Sequence, residues 1–384
     1  MKKQIGIITI CKVNNYGAEL QAFATQKKLE QMGYSAEIID YTYYKNWYYK
    51  DTFQSTPFIK MNVRGKLIYW LKYRAINYFV TLLLPLFNNK QKNRIQNFKN
   101  FFNLEKFSEQ YNSITDLYTK CKLYDVYIAG SDQVWNPAAS SSIEPYFLTF
   151  APKNSKKISY ASSFGISNLP PSLIDKYREL LLNIDSISVR EQTGVDIIEH
   201  LTNKKATLVL DPTLLLDINQ WKPYMNPVNK ISQKYILVYE LLNSPELRDA
   251  AIEISKRKNL PIYCICKRAY AIKNIKGMKN LPEIGPSEFL WLIANASCVI
   301  TNSFHGTAFA VNFGIPFYSI LKRNRKNNER MVSLLSKINL TDRILYEDCI
   351  NEYHIENALS PINNIKLKDL REESEDFLNT SINS

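Results

Sequence analysis

The chain has 384 residues, 45% of them hydrophobic, and a formal net charge of +13. That length exceeds the usual single domain and the hydrophobic share is ample for globular cores, so two domains are expected. Six cysteines lie scattered at 11, 121, 264, 266, 298 and 349; with the three histidines they make no zinc spacing, and they suit a reduced, cytoplasmic protein.

The N-terminus, MKKQIGIITICKVNNYG, puts two lysines before an apolar run. The run is too short for a signal peptide and meets polar turn residues instead of a small-residue cleavage site, so a first strand is predicted over Gln4 to Ile10. The turn Cys11 to Gly17 leads into a helix over Ala18 to Met32, closed by Gly33, and a second strand over Ala36 to Tyr41. This βαβ unit lacks GxGxxG, which disfavours a dinucleotide-binding oxidoreductase.

The segment 45–106 carries most of the excess charge, with twelve basic residues against two acidic ones. It is also rich in aromatics and holds an apolar run, Tyr78 to Phe87, broken by Pro85. At ten residues that run is too short to span a bilayer, which takes roughly 20. Three readings stay open: a helical insertion with solvated lysines, a segment meeting an anionic membrane surface, and a nucleic-acid face. The last is disfavoured because the basic residues lie in one insertion and no known module is apparent.

Leu123 to Ala129 reads as a buried strand ending in Gly130, Ser131, Asp132 and Gln133. Ser131 and Asp132 either face sugar hydroxyls or cap a helix. Strands follow over Lys157 to Ser162 and Asp185 to Val189, with a helix over Pro171 to Asn183 between them. The second strand delivers Arg190 and Glu191. Arg190 suits a bidentate pair with phosphate or carboxylate, or an ion pair with Glu191 or another surface acid. Thr207 to Leu210 is the last strand of this half, and Leu214 to Val228 reads as a linker.

A second alternation begins with a strand over Tyr235 to Tyr239, a helix over Ser244 to Lys258, a strand over Ile262 to Ile265 and a helix over Pro286 to Ala294. It ends in Cys298 to Leu321, CVITNSFHGTAFAVNFGIPFYSIL. Cys298 to Thr301 is a buried strand, Asn302 or Ser303 caps a helix over Thr307 to Phe313, Gly314 and Pro316 end it, and the next strand runs to Leu321. The turn carries Ser303, His305 and the amides of a helix N-terminus, which suit an anion. Alternatively, His305 caps the helix or packs in a core. A polar helix over Leu367 to Leu378 closes the chain. The pattern predicts an α/β protein with two Rossmann-like doubly wound domains facing a cleft: residues 1–222 with the insertion at about 45–106, residues 229–365, and a closing helix in 366–384.

Several blocks in order carry a family resemblance: NNYGAELQAF at 14–23, YDVYIAGSDQVWN at 124–136, SYASSFG at 159–165, SVRE at 188–191, DPTLL at 211–215 and TNSFHGTAFAVNFGIPF at 301–317. The set resembles the polysaccharide pyruvyl transferase family, which implies a two-domain fold of GT-B type with residues 1–222 on the acceptor side and residues 229–365 on the donor side. The resemblance implies transfer of an enolpyruvyl unit from phosphoenolpyruvate to a sugar of a polysaccharide or lipid-linked precursor, giving a pyruvate ketal and phosphate with no metal or nucleotide cofactor. His305 then takes the proton transfers and Arg190 an anionic group of the donor. Ser303, Asn302 and Gly306 line the donor site, and Asn15, Tyr16, Gly17, Ser131 and Asp132 are acceptor candidates. Family members commonly carry Arg-Leu before this histidine; here the pair is Ser303-Phe304, so a second cation is missing, and Lys322, Arg325 and Arg330 are candidates for it. The partners expected are phosphoenolpyruvate and a sugar acceptor, with no nucleic acid. The location expected is cytoplasmic, at the inner face of the cell membrane if residues 45–106 bind it. The competing readings are a nucleotide-sugar glycosyltransferase of GT-B type and a non-catalytic sugar- or lipid-binding protein on a membrane surface.

Overall fold

The computed structural model describes residues 2–44, 46–53, 61–137, 143–266, 277–323, 325, 328–352, 360–362 and 365–384. Lys45 and residues 54–60 of the basic segment lie outside the described residues. The chain forms two compact units. The first comprises Met1–Phe87, Phe102–Leu215 and Glu372–Ser384, and the second Asn88–Phe101 and Leu216–Arg371.

The strands of the first unit are β1 (Gln4–Ile8), β2 (Ser35–Tyr41), β3 (Phe107–Tyr111), β4 (Val126–Ala129), β5 (Lys156–Ser162), β6 (Ser186–Val189) and β7 (Thr207–Leu208). They form one sheet in the order β3-β2-β1-β4-β5-β6-β7, and every pairing is parallel. The central strands β1 and β4 are buried almost throughout, as parallel strands covered on both faces require. Trp135 anchors the core beside β4. Its ring stacks on Phe147 at 4.9 Å, its indole N–H donates to the Tyr146 carbonyl at 2.9 Å, and the Tyr177 hydroxyl donates to its carbonyl at 2.9 Å.

The second unit holds β8 (Ile236–Glu240), β9 (Ile262–Cys266), β10 (Met278–Asn280), β11 (Cys298–Thr301), β12 (Phe317–Leu321) and β13 (Ile344–Tyr346). Their order is β10-β9-β8-β11-β12-β13, again all parallel. In each sheet the chain winds outward from one central strand and returns to its other side, so the strand order reverses between β1 and β4 and between β8 and β11. Such reversals open a crevice outside the carboxyl ends of the two strands, where ligands of doubly wound sheets bind. The turns that carry Asn15, Ser131 and His305 leave the sheets at these two places, and the Arg190 turn leaves after β6.

The structure departs from the expected elements in several respects. First, β3, β10 and β13 escape the sequence reading. All three are edge strands, two of them three residues long, and β3 (FSEQY) is half exposed; a strand paired on one side needs no continuous apolar run. Second, the helix expected from Thr307 begins at Phe304, so His305 lies in its first turn and not in the loop before it. Third, the expected linker is ordered: Ile218–Trp221 is helical with an Asp217/Gln220 capping box, and Trp221 packs edge-on against Phe309 at 5.3 Å. Its apolar side chain and its caps hold it on the second unit.

Fourth, the Asn89–Phe102 helix, expected within an N-terminal insertion, lies almost wholly in the second unit. There the Arg94 guanidinium donates to the Ile284 carbonyl and the Asn97 amide to the Glu283 carbonyl. The closing helix runs longer than expected, Lys366–Asn383, and the division between units falls within it. Arg371 donates to Asn312 Oδ1 at 2.7 Å in the second unit, and Ser374 Oγ accepts the Leu210 amide at 3.0 Å in the first.

The remainder of the basic segment is a run of helical turns: α over Val63–Trp70, π over Leu71–Ala75, α over Ile76–Tyr78, π over Phe79–Leu83 and α over Leu84–Phe87. Among the described residues no helix is long and apolar enough to cross a membrane.

Candidate active site

The Cys298–Leu321 stretch is stitched together by its own short polar side chains. Ser303 caps the Phe304–Phe313 helix, its Oγ accepting the Gly306 amide at 3.4 Å. Thr301 Oγ1 accepts the Ser303 amide at 3.0 Å and donates to the Tyr239 carbonyl at 2.7 Å, joining β11 to β8 across the point of reversal. Asn302 reaches the same neighbour. Its Oδ1 accepts the amides of Leu241 and Leu242 at 2.9 and 3.3 Å, and its Nδ2 donates to the Leu242 carbonyl at 2.6 Å. At the end of β8, Arg248 holds the Glu240 carboxylate with both Nε and Nη2, at 3.0 and 2.6 Å.

These bonds assign roles to the candidates. Asn302 fastens the loop after β8, and Ser303 and the Gly306 amide serve the helix cap. Gly306 is required by close approach: a Cβ there would lie 2.6 Å from Thr301 Oγ1 and 2.9 Å from Tyr239 Cδ1. His305 is buried, with its ring edge-on to Phe304 at 5.1 Å. The positive end of the helix dipole lies at this turn and favours an anion there. Of the three cations considered, Arg330 is the one the structure brings to the turn, its guanidinium 5.5 Å from the Phe304 ring centroid. Lys322 and Arg325 are exposed. The Lys322 carbonyl accepts the Asn328 side-chain amide, while Arg323 beside it pairs with Asp348 at 2.7 Å.

Arg190 has a different setting. It is buried at the end of β6 and surrounded by the acids of its own unit. Nη1 donates to Asp211 Oδ2 at 2.5 Å and to Ser131 Oγ at 3.1 Å, Nη2 donates to Asp132 Oδ1 at 3.2 Å, and Nε stands 3.9 Å from Glu191 Oε2. Burial alone would lower its pKa, but Asp211, Asp132 and Glu191 outweigh that and hold the guanidinium charged. The acids are fixed in turn. Asp211 Oδ1 accepts from the Thr213 amide and hydroxyl at 3.0 and 2.7 Å, and Glu191 Oε1 accepts the Phe164 amide at 2.9 Å. The ion-pair reading of Arg190 therefore describes its surroundings, with Asp211 as the strongest partner. Asp211 opens the DPTLL block, but nothing local in the sequence links it to a residue 21 positions upstream.

The acceptor candidates lie along the β1/β4 reversal. Ser131 is fully buried, donating to Asp211 Oδ2 at 3.0 Å while its carbonyl accepts Thr9 Oγ1–H at 2.8 Å. Asp132 is part-exposed and takes a left-handed φ of 71°. Tyr16 and Gly17 are buried in the first turn of the Tyr16–Gln31 helix, and part-exposed Asn15 caps it, accepting the Gly17 amide at 3.1 Å. Of the five, Asn15 and Asp132 reach solvent. The turn before Asn15 is held by Glu19, whose buried carboxylate accepts the amides of Lys12 at 3.0 Å and Val13 at 2.6 Å. Burial pushes the Glu19 acid up to about 8, against the lowering effect of those two amides.

The sequence model of the polysaccharide pyruvyl transferase family matches residues 15–321, most of the chain. The chain belongs to this family. The match takes in the β1/β4 turns from Asn15 onward, the Arg190 cluster and the His305 turn. Among solved structures the chain is similar to UDP-GlcNAc 2-epimerase from Methanocaldococcus jannaschii, at 12% identity and a TM-score of 0.50 over 97% of this chain and 99% of that one. It is similar also to UGT89C1 of Arabidopsis thaliana complexed with UDP-L-rhamnose, at 8% identity and a TM-score of 0.50 over 98% and 94%. At such identities the likeness shows the fold alone, which is GT-B-like as expected. No curated protein sequence matches the chain.

Proposed function

We propose that this member of the pyruvyl transferase family moves the pyruvyl group of phosphoenolpyruvate onto two hydroxyls of a sugar in a polysaccharide precursor, forming a pyruvate ketal and releasing phosphate. The observation that carries the reading is the family match across residues 15–321, within which His305 lies in the first turn of a helix at the β8/β11 reversal. The methylene carbon of the donor takes a proton as one sugar hydroxyl adds to C2. The C–O bond to phosphate then breaks, and the second hydroxyl adds to the same carbon with loss of its proton. One hydroxyl proton replaces that given to the methylene and the other leaves with phosphate. A histidine serves both as the acid of the first step and as the base of the second.

Donor binding requires cations and aimed dipoles, since phosphoenolpyruvate carries both a phosphate and a carboxylate. The helix N-terminus and Arg330 are assigned to it, with Lys322 and Arg325 as the other cations of that loop. Arg190 is assigned a positioning role, holding Ser131 and Asp132 in place, and Asp132 and Asn15 are assigned to the sugar. The chemistry as written uses proton transfer and fixed charge, with phosphoenolpyruvate as co-substrate.

The test is incubation of the protein with phosphoenolpyruvate and galactose-, mannose- or glucosamine-containing acceptors. Phosphate release that is dependent on acceptor, together with a pyruvate mass gain on the sugar, is the expected result. Thermal stabilisation by UDP and none by phosphoenolpyruvate would instead favour a nucleotide-sugar enzyme.

A further inference from the structure

In the helical run Val63–Phe87 of the first unit, the side chains facing the protein recur every four residues: Tyr69, Tyr73, Asn77 and Thr81 are buried or half-buried. That spacing is longer than the 3.6 of an α-helix, and the two π segments, with their wider i→i+5 turns, keep it in phase. This inner face is aromatic and polar. Tyr73 packs on Tyr44 at 5.9 Å, Asn77 Oδ1 accepts the Trp47 amide at 3.2 Å, and Arg74 Nη2 donates to the Tyr49 carbonyl.

The outer face is apolar, the reverse of an ordinary surface helix. Of the seventeen large hydrophobics exposed among the described residues, twelve lie between Val63 and Phe87, with Phe87 86% and Leu86 71% exposed. Ile76, Phe79, Leu82 and Leu83 continue the face. Isolated exposed hydrophobics need no explanation, but a contiguous face of this kind marks a contact surface. The charges on the same run are Arg64, Lys66, Lys72 and Arg74, and no Asp or Glu occurs between residues 61 and 104. The stretch free of charge, 75–89, is interrupted by Pro85 and shorter than the roughly 20 residues needed to span a bilayer.

We infer that the Val63–Phe87 run is an interfacial anchor that lies along an anionic lipid surface, its apolar side in the headgroup boundary and its N-terminal basic residues among the headgroups. Two features favour a lipid surface over a protein partner: a contiguous exposed apolar face, and basic residues beside it with no acid among them. The inference does not depend on the donor or the reaction.

The experiment is co-sedimentation of the full chain with vesicles of phosphatidylcholine alone or mixed with an equal share of phosphatidylglycerol, followed also by tryptophan emission, since Trp70 lies on the outer face. Binding to the mixed vesicles, weaker by about tenfold on phosphatidylcholine alone, and a blue shift of the emission are expected. The double substitution Phe79→Glu with Leu83→Glu, at exposed positions, is expected to lower binding by at least about tenfold while the thermal unfolding midpoint stays put. Lys66→Glu with Lys72→Glu is expected to remove the preference for the anionic lipid. No sedimentation with the mixed vesicles, binding unchanged in the Phe79/Leu83 variant, or a dimer in light scattering that this variant dissociates would each overturn the inference; the last would make the face a contact between two copies of the chain.

Discussion

The turns after β6 and β11 both put a basic or titratable side chain at the carboxyl edge of a parallel sheet, and from the sequence they look like equals. In the structure they differ in what surrounds the group. Arg190 is enclosed by Asp211, Asp132 and Glu191, and Asp211 and Glu191 are themselves tied to backbone amides and a hydroxyl. His305 is held by the backbone of a helix end whose polar side chains bond to the scaffold, with an aromatic ring and Arg330 near it. A buried charge surrounded by counter-charges is costly to unpair, while the positive end of a helix dipole favours an anion. The contrast predicts that the first site governs stability and the second activity.

The sharpest test is His305→Ala, expected to lower turnover by about 10²- to 10⁴-fold with little change in the denaturation midpoint. Wild-type turnover on a verified acceptor would remove the histidine from the mechanism. For Arg190→Ala the order is reversed: removing one partner of a buried ion cluster costs about 3–5 kcal/mol, read as a fall in unfolding free energy, with Arg190→Lys intermediate. A stable, inactive Arg190→Ala protein would break the contrast and return Arg190 to the donor. Gly306→Ala brings a methyl into Thr301 and Tyr239 and is expected to destabilise by about 1–3 kcal/mol, measured by denaturant titration.

Arg330→Ala is expected to raise KM for phosphoenolpyruvate by about tenfold, the size of a charge-assisted contact, with turnover less affected; an unchanged KM would pass the role to Lys322 or Arg325. Glu19 supplies a pH dependence instead of a single step. Its acid titrates near 8 in the folded chain, above the ordinary carboxylate value, so the stability it contributes is complete at acid pH and is lost as pH rises through about 8. The slope is at most about 1.4 kcal/mol per pH unit for one proton, and Glu19→Gln should flatten it.

Much of this was legible in the sequence because the central strands of parallel sheets are continuous apolar runs, as in β1, β4, β8 and β11, and because Gly314, with its φ of 69°, ends its helix where a glycine should. The edge strands β3, β10 and β13 were not legible, since short or polar pieces become strands only when a neighbour supplies the ladder. The candidate site divides the same way. Ser303 as cap follows from local spacing, whereas the helix reaches back past the expected Thr307 to take in His305. The partnership of Arg190 with Asp211 and the reach of Arg330 to Phe304 join residues 21 and 26 positions apart, and the fold alone brings them together. The inward period of four in Val63–Phe87 was hidden because it matches neither a strand nor an ordinary helix.

Asn302 and Thr301 give the second unit a mechanical property. Leu241 and Leu242 bond to Asn302, and Thr301 joins the Tyr239 carbonyl to the Ser303 amide. Neither loop at the β8/β11 reversal can loosen without releasing bonds of the other, so the two open as one cooperative unit. Amide hydrogens of Leu241, Leu242 and Ser303 should accordingly exchange with deuterium at a common rate, and Asn302→Ala should quicken Leu241 and Leu242 first while leaving the sheet amides behind them protected.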